Sequence, residues 1–511
     1  MSYSTYLSVT LATLLLTPTQ SDADESTPPS PQLDDVLDLA VDSIRKMIDN
    51  LRRGSASPGV VAQFEKDLQD ATRELARVAT QWTYNHLEPA AVSDAPCEVH
   101  FQGDSYRRLG KKTPQAVSTL FGTITLRRLG YRAASGWEEP VLFPLCQILG
   151  VVHGATPALA ERVAFYQAEA GATQKRTLAR LRREHGVSMG VKRLRQVTEY
   201  VASAMEEHRL EAQADQVVAW LEQAQASRGR HRPVLAVGRD GITLGLPVKG
   251  GSIYEVATTA TISVYDRRDR RLGTVYLAFT PQPGQATMSG QLTQLLEAVL
   301  RRWSGPLPRL SYVTDAGDNE TTYYQKVLRR LRHPLTGRRL EWTWVVDYYH
   351  ASERLWKMAE ALFGTSPRVR SWVRKMQKLL LKPGGVGRVL HSAAALRSRL
   401  RLAGQRLTDF LRAYRYLQTR RRHMRYAEYR RLGLPIGSGV TEAACKTVYT
   451  QRLKLSGMRW RWAGAQTILT LRVILLSGVW SQVYARTLRV QSEVQVRTPD
   501  PLGERKATKA A

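Results

Sequence analysis

Between residues 234 and 347 the chain changes texture in a fixed order, and that order limits the fold more than any other feature. Val234-Leu235-Ala236-Val237 is a short apolar run that ends at Asp240-Gly241. Residues 254–265 and 273–279 are two further strand-like runs rich in Val, Thr and Ile, joined by a basic turn at 266–271. Helix-type patterns over 289–303 and 321–331 then alternate with strands at 310–314, ending at Asp315, and at 340–346, ending at Asp347. Three strands in succession, followed by alternation with helices, predict one mixed five-stranded sheet with helices on its faces.

Acidic residues punctuate this block. Asp240 closes the first strand, Asp315 closes the fourth, and Glu442 begins a helix in Gly437-Ser438-Gly439-Val440-Thr441-Glu442. If the first and fourth strands are neighbours, Asp240 and Asp315 meet at one edge of the sheet, and a helix packed there brings Glu442 to them. Taken singly, an Asp before Gly also caps a turn, and a Glu at a helix start complements the macrodipole. Taken together, clustered carboxylates repel one another unless a cation lies between them. Oxygen ligands of this kind suit Mg²⁺ or Mn²⁺. Two such ions can activate a hydroxyl nucleophile and stabilise the leaving oxygen in phosphodiester cleavage.

The rest of the chain frames this block. Residues 1–33 read as a disordered leader containing an apolar run at 6–16, which no Lys or Arg precedes and which is too short to span a bilayer. An export signal and a mis-assigned start fit that run equally. Residues 34–97 read as a helical region with a hairpin broken at Gly54–Pro58. Residues 98–230 combine strands over 98–134, with turns at Gly110 and Gly122, and helices at 156–170, 173–185 and 192–207. The short turn before the last of these fits either a helix-turn-helix that binds DNA or a plain three-helix bundle. Residues 350–434 are helical and basic, 435–490 carry the Glu442 helix, and 491–511 read as a disordered tail. No segment has the length of apolar sequence that a membrane span requires.

Charge points to the partner. The formal net charge is +30, yet residues 1–100 hold 15 acidic and 7 basic side chains, a net of −8, which leaves +38 on the remainder. A field that positive calls for a polyanion, most commonly nucleic acid. Arg421 and Arg422 lie in a run that ends Met424-Arg425-Tyr426, and Arg452, Lys454, Arg459, Trp460, Arg461 and Trp462 follow Glu442. The cations could neutralise phosphates and the Trp rings could stack on an unpaired base, or the rings could belong to the core. Three cysteines, none in a CxxC pair, suit a reducing cytoplasm.

The string Gly437-Ser438-Gly439-Val440-Thr441-Glu442-Ala443-Ala444-Cys445-Lys446, continuing through Gln451-Arg452-Leu453-Lys454 and Ser456-Gly457-Met458-Arg459-Trp460, resembles the DDE transposases of the RNase H-like class. It is closest to the bacterial Kra-type insertion-sequence family and is similar in layout to Mutator-like and hAT transposases. The resemblance covers residues 100–485 or so. It implies an RNase H-like core split by a helical insertion at 350–434, with Asp240, Asp315 and Glu442 as a triad holding two Mg²⁺ or Mn²⁺ ions. It implies double-stranded DNA as partner, both terminal inverted repeats and target. It further implies a homodimer or higher oligomer, associated with the nucleoid in the cytoplasm. Asp347-Tyr348-Tyr349-His350 fits the family's (Cys/Asp)-x-x-His motif, which implies His350 near the scissile phosphate and leaves Asp347 as a rival to Asp315 for the second ligand. Asp318 is a weaker rival. One departure is the stretch Gly130–Ser135, where these relatives tend to carry paired cysteines and this chain has none.

Overall fold

The computed structural model describes residues 33–134, 139–248, 251–493 and 496. The leader with its apolar run, Ser135 and most of the tail lie outside the described residues. The described residues form two compact units, one from those within 1–167, 173–201 and 486–511, the other from those within 168–172 and 202–485. Helix makes up about 58 % of the described residues, which also hold a three-stranded and a five-stranded sheet.

In the first unit, α1 (Leu33–Arg53) and α2 (Pro58–Asn85) form the expected hairpin. Ser57 caps α2 by accepting the Val60 amide, and Pro58 occupies the first turn, where a missing N–H costs nothing. Three antiparallel strands follow, β1 (Glu98–Phe101), β2 (Asp104–Thr119) and β3 (Gly122–Ala133). Gly122 does start a strand after a turn, but Gly110 does not turn the chain. It lies inside β2, where the register shifts between Arg108 and Lys112 as a bulge. The turn before β2 is at Gln102-Gly103, both with positive φ.

Edge strand β3 is covered by polar side chains of α2 and of the turn that follows it. Gln81 accepts the Thr125 amide, Asn85 accepts the Arg127 amide and donates to the Thr125 carbonyl, and Glu88 accepts the Leu129 amide. These bonds supply partners that an open edge lacks. Helices α3 (Pro144–Ile148), α4 (Pro157–Ala168), α5 (Gln174–His185) and the start of α6 (Val191–Ala226) complete this unit. The last helix runs on without a break past 207 to Ala226, because 207–226 contain no Gly or Pro to stop it.

The second unit is built on β4 (Val234–Val248), β5 (Gly251–Tyr265), β6 (Arg271–Phe279), β7 (Arg309–Thr314) and β8 (Trp342–Val346). Their order in the sheet is β6-β5-β4-β7-β8, with the first three antiparallel and β4, β7 and β8 parallel. The mixed sheet is therefore as predicted, with the first and fourth strands side by side. Asp240 does not end β4, however. The strand continues past it because β5 remains paired as far as Val248↔Gly251, although β7 leaves at Gly238↔Val313. Helices α7 (Ala286–Arg302) and α8 (Asp318–Lys326) cover one face of the sheet.

From β8 the chain enters five helices, α9 (Tyr348–Phe363), α10 (Arg368–Leu380), α11 (Gly385–Arg399), α12 (Gly404–Arg420) and α13 (Tyr426–Arg431). After a break at 433–438 comes α14 (Gly439–Ala444), which widens into a π-helical turn over Cys445–Thr450 and ends at Leu453. Helix α15 (Trp462–Leu476) packs on β6, and Gln466 and Ser477 bond its edge at Thr280, Ala278 and Tyr276. Helix α16 (Trp480–Glu493) extends into the first residues of the expected tail. Among the described residues no single helix is long and apolar enough to cross a membrane.

Helix α14 meets the sheet at Gly238. A Cβ at this position would collide with the Thr441 hydroxyl, which in turn bonds the Thr261 hydroxyl on β5 at 2.8 Å. Gly238→Val should therefore destabilise the protein by roughly 1–3 kcal/mol through overpacking. A thermal melt that matches the unsubstituted chain would show that α14 does not dock as described.

Candidate active site

Register brings two of the acids together. Parallel β4 and β7 last pair at Gly238↔Val313, and Asp240 and Asp315 each lie two residues further on. Equal steps from a shared pair, with a side-chain period of two, put both carboxylates at one level on one face. Arg239 points to the opposite face, where it bonds Ser289 and Gln285 of the α7 side. The Asp240 face is the one on which α14 docks through Thr441, so Glu442 follows directly and Cys445 lies about one turn later.

Asp240 is half-buried. Its Oδ1 accepts the Gly241 amide at 2.7 Å and its Oδ2 accepts the Cys445 thiol at 3.4 Å. Burial raises its pKa, and the carboxylates of Asp315 and Glu442 push in the same direction, against those two hydrogen bonds. Burial next to Asp240 likewise drives the Cys445 pKa up, so the thiol stays protonated and serves as a donor. Asp315 is also half-buried, and its Oδ1 accepts the Gly317 amide at 2.9 Å.

Glu442 is the exposed member. Its Oε1 accepts the Ser438 hydroxyl at 3.0 Å and lies 3.1 Å from His350 Nε2, while His350 Nδ1 lies 3.2 Å from Glu353. Partial burial lowers the His350 pKa, but the carboxylates of Asp347, Glu353, Glu442 and Asp315 together outweigh it and the net shift is upward. The sequence-predicted His350 thus stands against Glu442.

Asp347 has a different position from the open acids. It is completely buried, and its carboxylate accepts the amides of Tyr349 and His350 at the start of α9 and the amide of Ser438 across the 433–438 break. A carboxylate bonded to three backbone N–H groups ties two segments together, and we assign it to positioning rather than to contact with a reacting group. Asp318 is exposed in the first turn of α8.

Two contributors carried no sequence signal that singled them out. One is Cys445. The other is Glu320 on α8, a buried carboxyl whose pKa is raised by burial, with Asp315 and Asp240 adding and Arg239 opposing. Only the density of acids in Asp315-Ala316-Gly317-Asp318-Asn319-Glu320 hints at it. As the side chains are oriented, no three His, Cys, Asp or Glu groups among the described residues converge closely enough to hold a metal ion. Two partners already occupy the acids: Cys445 is on Asp240 and His350 is on Glu442.

The basic candidates divide. Arg421, Arg422, Lys454, Arg459 and Arg461 are exposed. Arg452 is 1 % exposed, and its guanidinium lies 4.9 Å from the Trp460 ring centroid. Burial, with Arg472 nearby, lowers its pKa to about 10. The expectation that Arg452 contacts DNA is therefore corrected: the end of the α14 segment turns it inward. Trp460 is half-buried against the core that contains Tyr449 and Leu453, and one of its faces is taken by Arg452. Trp462 is half-buried at the start of α15.

No protein-family model matches the chain, and no curated protein does.

The raised folded-state pKa of His350 fixes the sign of its pH dependence. Its charge pair with Glu442 contributes fully below the ordinary imidazole value of about 6.5 and is lost as pH rises through the higher folded value. Glu442→Gln should lower the His350 midpoint in a metal-free NMR titration of its ring proton. An unchanged midpoint would show that the two groups do not pair in solution.

Proposed function

We propose that the chain is a DDE-type transposase with an RNase H-like core, closest to the Kra-type insertion-sequence enzymes. The observation that carries this reading is the parallel pairing of β4 and β7, which levels Asp240 and Asp315 on the face where α14 brings Glu442. The order β6-β5-β4-β7-β8 and the all-helical segment between β8 and α14 support it.

The donor set fits divalent metal. Asp240 and Asp315 are hard oxygen ligands whose bonded partners are a thiol and backbone amides, none of them a cation, and their mutual repulsion is part of what raises the Asp240 pKa. Asp240, Asp315 and Glu442 would hold Mg²⁺ or Mn²⁺. When bound, two such ions lower the pKa of a nucleophilic hydroxyl and stabilise the leaving oxygen. For Glu442 to serve as a ligand, its Oε1 must exchange the His350 ring for the cation. Released from Glu442, His350 can, in its protonated form, offer its Nε2 proton to a phosphate oxygen. Asp315 is the better second ligand than Asp347, whose oxygens are already spent on amides.

The reaction is cleavage at a transposon end by water, leaving a 3′-hydroxyl, followed by attack of that hydroxyl on target DNA. Arg421, Arg422, Lys454, Arg459 and Arg461 supply exposed cations for the DNA backbone. Trp460, with one ring face covered, and Trp462 contribute mainly to packing. Two ends must be held at once, so a homodimer or higher oligomer on DNA is part of the proposal. The terminal inverted repeats are read by the α5–α6 pair as a helix-turn-helix. Gly186 at φ 63° makes its turn, and Arg182 and Lys192 are exposed on the two helices.

The test uses pre-cleaved transposon ends, target plasmid and Mg²⁺ or Mn²⁺. Joined product is expected from the unsubstituted chain, and Asp240→Asn or Glu442→Gln should reduce it by at least about 100-fold with DNA binding retained. Cutting without joining would point to a nuclease of the same fold. DNA binding with no chemistry would point to a non-catalytic, transposase-derived protein. In a separate binding assay, Arg182→Ala with Lys192→Ala should weaken inverted-repeat binding and reduce the salt slope by about one for each lost phosphate contact.

A further inference from the structure

The helical segment inserted between β8 and α14 reaches the acid cluster directly. The Tyr416 hydroxyl on α12 donates to the Asp315 carbonyl at 2.5 Å. Four residues on, Arg420 donates to the Ala316 carbonyl through Nε at 3.2 Å and Nη2 at 2.8 Å. The Tyr416 ring lies between two guanidinium groups, Arg354 at 4.6 Å and Arg420 at 4.4 Å from its centroid. Two successive carbonyls of the Asp315 turn are thus held from α12, in a stack that also includes α9.

The turn needs holding. Ala316 has φ 61°, a left-handed backbone that costs a residue with a Cβ about 1 kcal/mol or more. The Ala316 amide bonds Thr314 Oγ1, and the Gly317 amide bonds the Asp315 carboxylate itself. The direction of that carboxylate is therefore linked to the backbone of the next two residues. If Ala316 relaxes to negative φ, the Gly317 amide swings away and Asp315 loses the bond that orients it.

We infer that Tyr416 and Arg420 are positioning residues, which clamp the Asp315–Gly317 turn and so aim the Asp315 carboxylate at the site. Arg420 begins a basic run at the end of α12, and its neighbours Arg421 and Arg422 are exposed. DNA pressing on those two side chains therefore bears on the helix end that fixes Asp315. The clamp rests on geometry alone; its consequence for metal binding rests on the transposase reading.

The test compares Tyr416→Phe, Arg420→Met and a control, Arg406→Met, in the full chain. Arg406 also lies on α12 and bonds two carbonyls, those of Ala361 and Leu362, each at 2.8 Å, without touching Asp315. It gauges what losing an arginine–carbonyl contact does to folding alone. Hydrogen exchange at the Gly317 amide should accelerate in Tyr416→Phe and Arg420→Met and stay unchanged in Arg406→Met. The Kd for Mn²⁺, read by electron paramagnetic resonance, should rise about tenfold in the first two variants, the factor expected for one lost hydrogen bond. Saturating Mn²⁺ should restore their cleavage rate with the KM for DNA unchanged, which a general folding defect would not allow. Gly317 exchange as slow as in the unsubstituted chain in both variants would overturn the clamp. Faster exchange with unchanged Mn²⁺ affinity would overturn its role in aiming Asp315. If the unsubstituted chain binds no Mn²⁺, the transposase reading fails while exchange still decides the clamp.

Discussion

The close approach of α14 to the sheet at Gly238 is the contact on which the site depends. Any side chain there would occupy the place of the Thr441 hydroxyl, whose bond to Thr261 joins the first turn of α14 to the sheet. Glu442 and Cys445 take their positions from Thr441 by helical spacing, and Asp240 takes its position from Gly238 by strand spacing. One small residue thus sets the separation of the groups that strand register and helix phase align.

Electrostatics then decides how these groups behave. Carboxylates gathered in partly buried surroundings are costly, and each is balanced differently. Asp240 has a thiol and an amide, Glu442 has His350 and a hydroxyl, and Asp347 has three amides. Only Asp347 is satisfied by backbone alone. Asp240 and Glu442 each also have a side-chain partner, Cys445 and His350, that can move aside, and this separates a structural acid from acids able to exchange a protein partner for a ligand.

Much of the second unit could be read from the amino acids, for reasons that can be stated. Apolar runs that stop at Asp315 and Asp347 mark strands that end there, and the meander-then-alternate order leaves few sheet topologies open. The extension of β4 past Asp240 was hidden because Gly241, Gly245 and Pro247 break the apolar pattern, and the strand persists there through pairing with β5. Gly110 reads as a turn because a bulge and a turn ask the same freedom of a glycine. Arg452 reads as a DNA contact because a run of cations carries no sign of which member is turned inward. Cys445, Glu320, Tyr416 and Arg420 matter through neighbours that are distant in sequence, which local pattern does not encode.

The polar residues of α2 and its C-terminal turn along β3 have a consequence for assembly. Gln81 and Asn85 are four residues apart, a step of about 6 Å along a helix, and Glu88 follows just past the end of α2. Their targets at Thr125, Arg127 and Leu129 advance by two residues each, about 6.8 Å along a strand. The two rulers stay close enough for two helical side chains to follow two amides, with Glu88 beyond the helix end reaching the third, and a single inserted residue between Gln81 and Asn85 would put them out of step. A second copy of the chain therefore cannot lengthen this sheet at its β3 edge without first displacing α2, and any oligomer must form through other surfaces.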